Sequence, residues 1–315
     1  MLEVALCLAV LLAGWLWSAD MRAGRTLTGQ TAAAPAGFPR TVRDHAGDAL
    51  RLPRPPVRIA SQALVSDHFL FAVVHPSRIA AVSAVARDRR YSYVADVVDG
   101  MDVAVAGEPE ALLRRRPDLL LASNTARADY VALARGAGIP TFRLLTVFED
   151  FSQIAAGLET VGRLTGEERA AERVIRQFRD RIAAAVARRP AAAPRPRVLV
   201  YVAFSGTFGA GSLFDHILTE LGAVNVAAEE GIGPHAAIGS EQIAAWNPDW
   251  IIADAPAGEE DAVRRRLLDH PAVAVTAAGR DGQVLVIDHR QFITMSQYAA
   301  GLTETVAAAL YPDAP

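Results

Sequence analysis

Lysine is missing altogether: every one of the 32 basic residues in this 315-residue chain is arginine. That excludes Schiff-base catalysis and a phosphate-binding P-loop, both of which need a lysine. Cysteine is nearly missing too. The single one, Cys7, lies in the leading apolar run, so the rest of the chain can form neither a disulfide nor a cysteine-ligated metal site. Aromatics are only 7% of residues while alanine is abundant, a composition that favours helices over a β-sandwich. Charge of one sign is not in excess, with 32 basic against 35 acidic residues, and no nucleic-acid partner is expected without a clustered basic surplus. There is no G-x-S-x-G elbow, no H-E-x-x-H and no paired cysteine cluster. The turn after the first predicted strand, Ser61-Gln62-Ala63, carries no glycine. An enzyme is therefore not expected, and no cofactor is.

What is present begins with a core: 51% of residues are apolar, enough for two domains or one large α/β domain. Val4 to Trp17 is an uncharged run of signal-peptide length, short for a membrane span. Ala34-Pro35-Ala36 offers an A-x-A-like cleavage site, and the Gly/Ala/Pro-rich stretch before it reads as a linker. Residues 1–37 are thus expected to be a signal peptide or N-terminal anchor plus linker. The chain is expected in the periplasm, exported or held to the membrane by its N-terminus.

From residue 38 short apolar runs alternate with helical periodicity. Strands are predicted at Val57–Ser61, Ile79–Ser83, Asp118–Ser123 and Thr141–Leu145, and helices at Leu64–Val74, Glu108–Arg115, Ala128–Ala137 and Phe151–Leu164. A long helix follows, with Thr165 as N-cap and Glu168 closing a capping box, its apolar stripe running through Ala171, Ile175, Phe178 and Ile182. Pro190, Pro194 and Pro196 end it. Strands then resume at Val198–Ala203, Trp250–Asp254 and Val284–Ile287, with helices at Leu213–Leu221, Ser240–Ala245, Glu260–Leu268 and Gln297–Leu310. The expected fold is α/β: two lobes, 38–164 and 196–315, each a mainly parallel sheet with flanking helices, joined by one long rigid helix within 165–195.

One unit occurs twice. Glu110-Ala-Leu-Leu-Arg-Arg-Arg-Pro117-Asp118-Leu-Leu-Leu-Ala122 matches Glu241-Gln-Ile-Ala-Ala-Trp-Asn-Pro248-Asp249-Trp-Ile-Ile-Ala253 in spacing. Helix-to-strand punctuation accounts for the proline and aspartate. The two glutamates gain only a few tenths of a kcal/mol from the helix dipole, which leaves room for a functional role. With Arg58-Ile-Ala-Ser-Gln and Arg78-Ile-Ala-Ala-Val-Ser83, these units make the chain resemble the periplasmic substrate-binding proteins of ABC importers for ferric siderophores and vitamin B12, over about Val57 to Leu310. The resemblance implies a non-enzymatic monomer that takes a ferric siderophore or corrinoid to an ABC permease dimer in the inner membrane. Glu110 and Glu241, one per lobe, would dock onto permease arginines, with Glu108 the neighbouring alternative to Glu110.

In such a fold a ligand lies between the lobes, beyond the carboxyl ends of the strands. That nominates Ser61, Gln62, Arg87, Arg90, Tyr91, Tyr93, Asn124 and Arg127 in the first lobe, and Phe204, Phe208, Arg290 and Phe292 in the second. Arginine forks and tyrosine rings suit an anionic, flat or aromatic ligand. Haem or a bare divalent metal are the alternatives, as is a non-transport sensor of the same fold. His68, His75, His235 and His289 are scattered over both lobes and read mostly as surface or capping residues, so no metal site is expected. The loop Gly206–Gly211 lacks a phosphate-binding pattern, and its glycines are expected to close a turn or bring the backbone near a ligand.

Overall fold

In a computed structural model the described residues are 37–101, 104–105, 109–202 and 206–312; of 104–105 and 109–111 only the backbone is described. The predicted signal or anchor segment, Glu108, Ala203 and Phe204 lie outside them, as does the side chain of Glu110.

A hairpin of β1 (Arg40–Arg43) and β2 (Ala49–Leu52) comes first. The first sheet then uses β3 (Ile59–Ser61), β4 (Ile79–Val82), β5 (Ala104–Val105), β6 (Leu119–Ser123) and β7 (Thr141–Leu144) in the order β5-β4-β3-β6-β7, every neighbour parallel. β3, β4 and β6 are buried along their whole length, which explains their unbroken apolar runs. Crossovers are α1 (Leu64–Val73), α2 (Ala95–Asp99), α3 (Pro109–Arg115) and α4 (Ala128–Gly136).

Two helices, α5 (Phe151–Thr165) and α6 (Glu168–Ala187), lead to the second half of the chain. Its sheet runs β11-β9-β8-β12-β13, with β10 also paired to β8. The strands are β8 (Arg197–Val202), β9 (Gly206–Thr207), β10 (Val224–Asn225), β11 (Ala236–Ala237), β12 (Trp250–Ala255) and β13 (Val284–Asp288). β10, β8, β12 and β13 are parallel, while β9 and β11 form an antiparallel edge. Helices around this sheet are α7 (Leu213–Glu220), α8 (Val226–Glu229), α9 (Ser240–Trp246), α10 (Glu260–Leu268), α11 (Pro271–Ala274), α12 (Ala277–Asp281), α13 (His289–Phe292) and α14 (Ala299–Leu310). The molecule is an α/β protein of two lobes, as the alternation of strand and helix patterns implied.

The capping box predicted at Thr165 does not form. Thr165 is the last residue of α5, and its hydroxyl donates to Val161 O at 2.8 Å. Gly166 then adopts φ +76°, a left-handed stop open to glycine at little cost. Glu167 becomes the N-cap of α6, without a side-chain cap. At 20 residues α6 is about 30 Å long. It buries Ala171, Ile175, Phe178, Ile182 and Ala185, the stripe read from the sequence. It packs on α1 and α5 of the first lobe and on α14 of the second.

The repeat has a shared physical cause. Asp118 accepts from Val57 N and Arg58 N, at 2.9 and 2.8 Å, and Asp249 accepts from Arg197 N at 2.8 Å. Each aspartate pins the start of its lobe's central strand beside its own. Each preceding helix ends on a residue of positive φ, Arg116 at +45° and Asn247 at +44°. Arg58 donates to Arg115 O and Arg197 to Trp246 O, so the first residue of each module also caps its helix. The repeat therefore extends back to these arginines, farther than its sequence signature suggested.

Candidate functional site

The carboxyl ends of β3, β6 and β7 form a polar row. Gln62 Oε1 accepts from Ser123 N at 3.1 Å, which ties the β3 turn to the β6 turn. Asn124 Oδ1 accepts from Thr146 N at 3.1 Å, and Ser123 Oγ lies 2.7 Å from Thr146 Oγ1. Ser61 has no exposed surface and lies 2.8 Å from the Ser66 hydroxyl, so it shapes the turn and offers a ligand nothing.

After β4 the loop bearing Arg87, Arg90, Tyr91 and Tyr93 splits by residue type. Its arginines are exposed and locally engaged: Arg90 forks onto Asp88, Arg87 reaches Met101 O, and Arg89 bridges Asp96 and Asp99. Hydrogen bonding from Arg90 lowers the Asp88 carboxyl to about 2. Arg127 is exposed and paired with Asp129. The tyrosines instead cross to the second lobe. Tyr93 stacks on Tyr298, with ring centroids 4.0 Å apart and planes at 15°. Tyr91 meets His289 edge-on at 5.2 Å. Burial pushes the Tyr93 and Tyr298 hydroxyls up to about 12, so both are neutral near pH 7.

His68 sits at the middle of this junction, 2% exposed. Its Nε2 accepts from Tyr93 N at 3.3 Å. A backbone N–H can only donate, so in the neutral ring Nδ1 carries the proton, 3.0 Å from Ser296 Oγ. Gln297 Nε2 adds a bond to His68 O at 3.0 Å. Burial, with a contribution from the Arg290 charge, lowers the His68 pKa to about 3 and keeps it neutral. The expectation that the histidines are surface or capping residues therefore holds for His75, which caps a turn through Ser77 N, and fails for His68.

In the second lobe Arg290 lies over the Tyr93 ring, 4.8 Å from its centroid. Phe208 is half-buried, stacked on Phe214 at 5.5 Å. Phe292 is 1% exposed, behind Phe208 and Phe214, where it supports the site's floor and presents no surface to a ligand. His289 Nδ1 lies 2.5 Å from Asp254 Oδ2, at the carboxyl ends of β13 and β12. The glycine loop serves its own chain. A Cβ on Gly209 would meet Ile232 O at 2.2 Å, and Gly209 N bonds Gly233 O at 3.0 Å.

Of the nominated residues, Tyr91, Tyr93 and Arg290 are thus brought together, with Gln62 and Asn124 at the strand ends of the first lobe, while Phe208 packs with Phe214, His235 and Phe292 instead. Asp254 and His289, at the strand ends where the carboxyl-end rule puts the cleft loops, complete the junction together with His68, Ser296, Gln297 and Tyr298, which were not among the nominated residues. Gln297 and Tyr298 were predicted to begin the last helix, but α14 starts at Ala299 and Ser296-Gln297-Tyr298 lies in the short segment before it. Two surface grooves lie elsewhere: one of about 570 Å³ between α5 and α6, the other of about 500 Å³ between the β1–β2 hairpin and the start of β7. Among the described residues no group of three His, Cys, Asp or Glu side chains could hold a metal ion, and no helix is long and apolar enough to cross a membrane.

Two α/β lobes meeting at the carboxyl ends of their strands, with aromatic and polar side chains between them, define a two-lobed binding protein. Residues 59–291 match the periplasmic binding protein family, and the chain belongs to it. The family is one of binding proteins, not enzymes, and is periplasmic or exported. Over 259 residues, 80% of this chain and 68% of the relative, it is 26% identical to a cobalamin-binding protein of Halobacterium salinarum. The periplasmic heme-binding protein of Roseiflexus sp. RS-1 shares the fold at 22% identity, TM-score 0.67, over 81% of this chain and 98% of its own. A periplasmic binding protein from Veillonella parvula does so at 16% identity, TM-score 0.72, over 88% and 98%.

Proposed function

We propose that this protein is the substrate-binding component of an ABC importer that captures a corrinoid between its lobes and delivers it to a membrane permease. The observation that carries the reading is the junction itself: Tyr91, Tyr93, Tyr298 and Arg290 gather where the two lobes meet. Broad rings suit a macrocycle, and an arginine suits its polar rim. The 26% identity to a cobalamin-binding protein over most of the chain moves the corrinoid ahead of the ferric siderophore that the arginines of the loop first suggested. Those arginines already engage neighbouring carboxylates or carbonyls.

Docking is assigned to Glu110 and Glu241. Each lies in the first turn of a helix that leads into a parallel strand, hence on the carboxyl-edge side where the cleft opens. Glu241 is exposed. Calorimetric titration of the purified full chain with aquocobalamin, a ferric catecholate, a ferric hydroxamate and haemin tests the ligand. Micromolar or tighter binding of the corrinoid is expected. Saturation by a siderophore instead, with no corrinoid bound, would overturn the assignment.

A further inference from the structure

Four histidines differ in what their ring nitrogens are doing. His68 has both engaged, by Tyr93 N and Ser296 Oγ. His75 and His270 spend a nitrogen capping turns at Ser77 N and Ala272 N. His289 alone combines a fixed tautomer with an uncommitted nitrogen at the junction. Its Nδ1 faces the Asp254 carboxylate at 2.5 Å, and a carboxylate only accepts. The proton is therefore on Nδ1, and the neutral ring's lone pair is on Nε2, which no hydrogen bond to a described residue engages.

A carboxylate behind an imidazole is the arrangement that orients a metal-binding histidine and raises its basicity. Asp254 is well placed for that: its side chain is 9% exposed, against 31% for His289. A bare ion would find little here, because no group of three ligating side chains exists among the described residues. One nitrogen donor is instead matched to a metal that arrives with four in-plane donors and an exchangeable axial position. A hexadentate ferric chelate has no such position. Tyr91, edge-on to His289 from the opposite lobe, fixes the ring at the junction where the ligand would lie.

Resting on the corrinoid reading above, we propose that His289 Nε2 is an axial ligand to the cobalt of the bound corrinoid, with Asp254 as its positioning residue. The step is a ligand exchange. The Nε2 lone pair forms a bond to cobalt, an axial water leaves with its own electron pair, cobalt keeps its oxidation state, and the Nδ1 proton stays against Asp254.

The probe is diaquacobinamide, which has exchangeable water on cobalt and no internal base. Titrated into the full chain, it should bind with a shift of its visible bands as nitrogen replaces water. H289A should still bind cobinamide, by calorimetry, but without the band shift and roughly 10–100-fold more weakly. D254N should keep the shift and lose affinity by about tenfold. Circular dichroism melts show whether either variant is folded. Should a variant fail to fold, the wild-type spectrum still decides. Cobinamide bound with unshifted bands, or a shift that survives H289A, would overturn the axial bond and leave the corrinoid reading standing. Binding of haemin with no binding of any corrinoid would overturn both.

Discussion

Asp118 and Asp249 show what a single side chain does when a motif is used twice. Each carboxylate holds the first residues of its lobe's central strand, and each follows a residue forced to positive φ by the helix stop before a proline. The cost falls unequally. Asn247 tolerates the left-handed region, whereas Arg116 is strained there by roughly 1 kcal/mol. Arg116→Asn should therefore stabilise the protein by about 0.5–1 kcal/mol, while Asp118→Ala, which strands two backbone donors, should cost about 1–2 kcal/mol. Urea midpoints at constant m-value measure both. The aspartates were legible in the sequence through their spacing. Arg58 and Arg197 were not, because an arginine at a strand start looks like any solvated end until the helix it caps is seen.

Asp67 makes the second residue-scale prediction. It has no exposed surface, sits under the root of the tyrosine loop, and accepts from Ser83 N at 3.2 Å. Burial, partly offset by hydrogen bonding to Ser83 and Ser61, raises its pKa from 3.8 to about 7. Between these two values the folded chain binds more protons than the unfolded one, so stability falls as pH rises from about 4 to 7 and levels off above. The contribution is on the order of 4 kcal/mol. Asp67→Asn should flatten that slope in denaturation measured at pH 4.5, 6 and 7.5. An unchanged slope would mean that another group carries it.

At the scale of elements, α6 is fastened at both ends. Arg78 bonds Glu167 at 2.7 Å and Thr165 O at 2.7 Å, holding the α5–α6 turn to the first lobe. Farther along, Arg181 forks onto Glu304 of α14 at 2.7 and 2.6 Å. The segment Ser296–Tyr298, just before α14, supplies a second tie between the lobes through His68 and Tyr93. The long helix was legible because a 3.6-residue stripe over twenty residues has no other explanation. Its start was misread because Thr165 matches a cap equally well as the final residue of the preceding helix. The tie itself left no trace in local sequence, since tertiary stacking depends on which loops meet. Its strength is measurable. A double-mutant cycle of Tyr93→Ala and Tyr298→Ala should give a coupling of about 0.5–1.5 kcal/mol beyond the single losses, read from denaturant unfolding. Additive losses would show that the two rings merely pack independently.

For the whole molecule these fastenings restrict how the lobes can move. A helix tied at both ends, with a side-chain tie beside it, opposes the large φ/ψ changes of a hinge. The lobes should keep their mutual angle to within a few degrees when ligand binds, and spin-label distances between exposed positions on α4 and α10 should hardly change with saturating corrinoid. That rigidity shapes the docking proposal. If the free and loaded forms present Glu110 and Glu241 at the same separation, a permease reads the bound ligand itself rather than a change in the glutamates' spacing. Replacing either glutamate by lysine sets like charges against the permease arginines, which costs several kcal/mol at a buried contact. Corrinoid affinity of E110K and E241K should stay within about twofold of the parent, while corrinoid-dependent uptake falls at least tenfold. Reversing the matching permease arginines to glutamate should restore it. Loss of ligand affinity in these variants would place the glutamates at the cleft and not at the membrane.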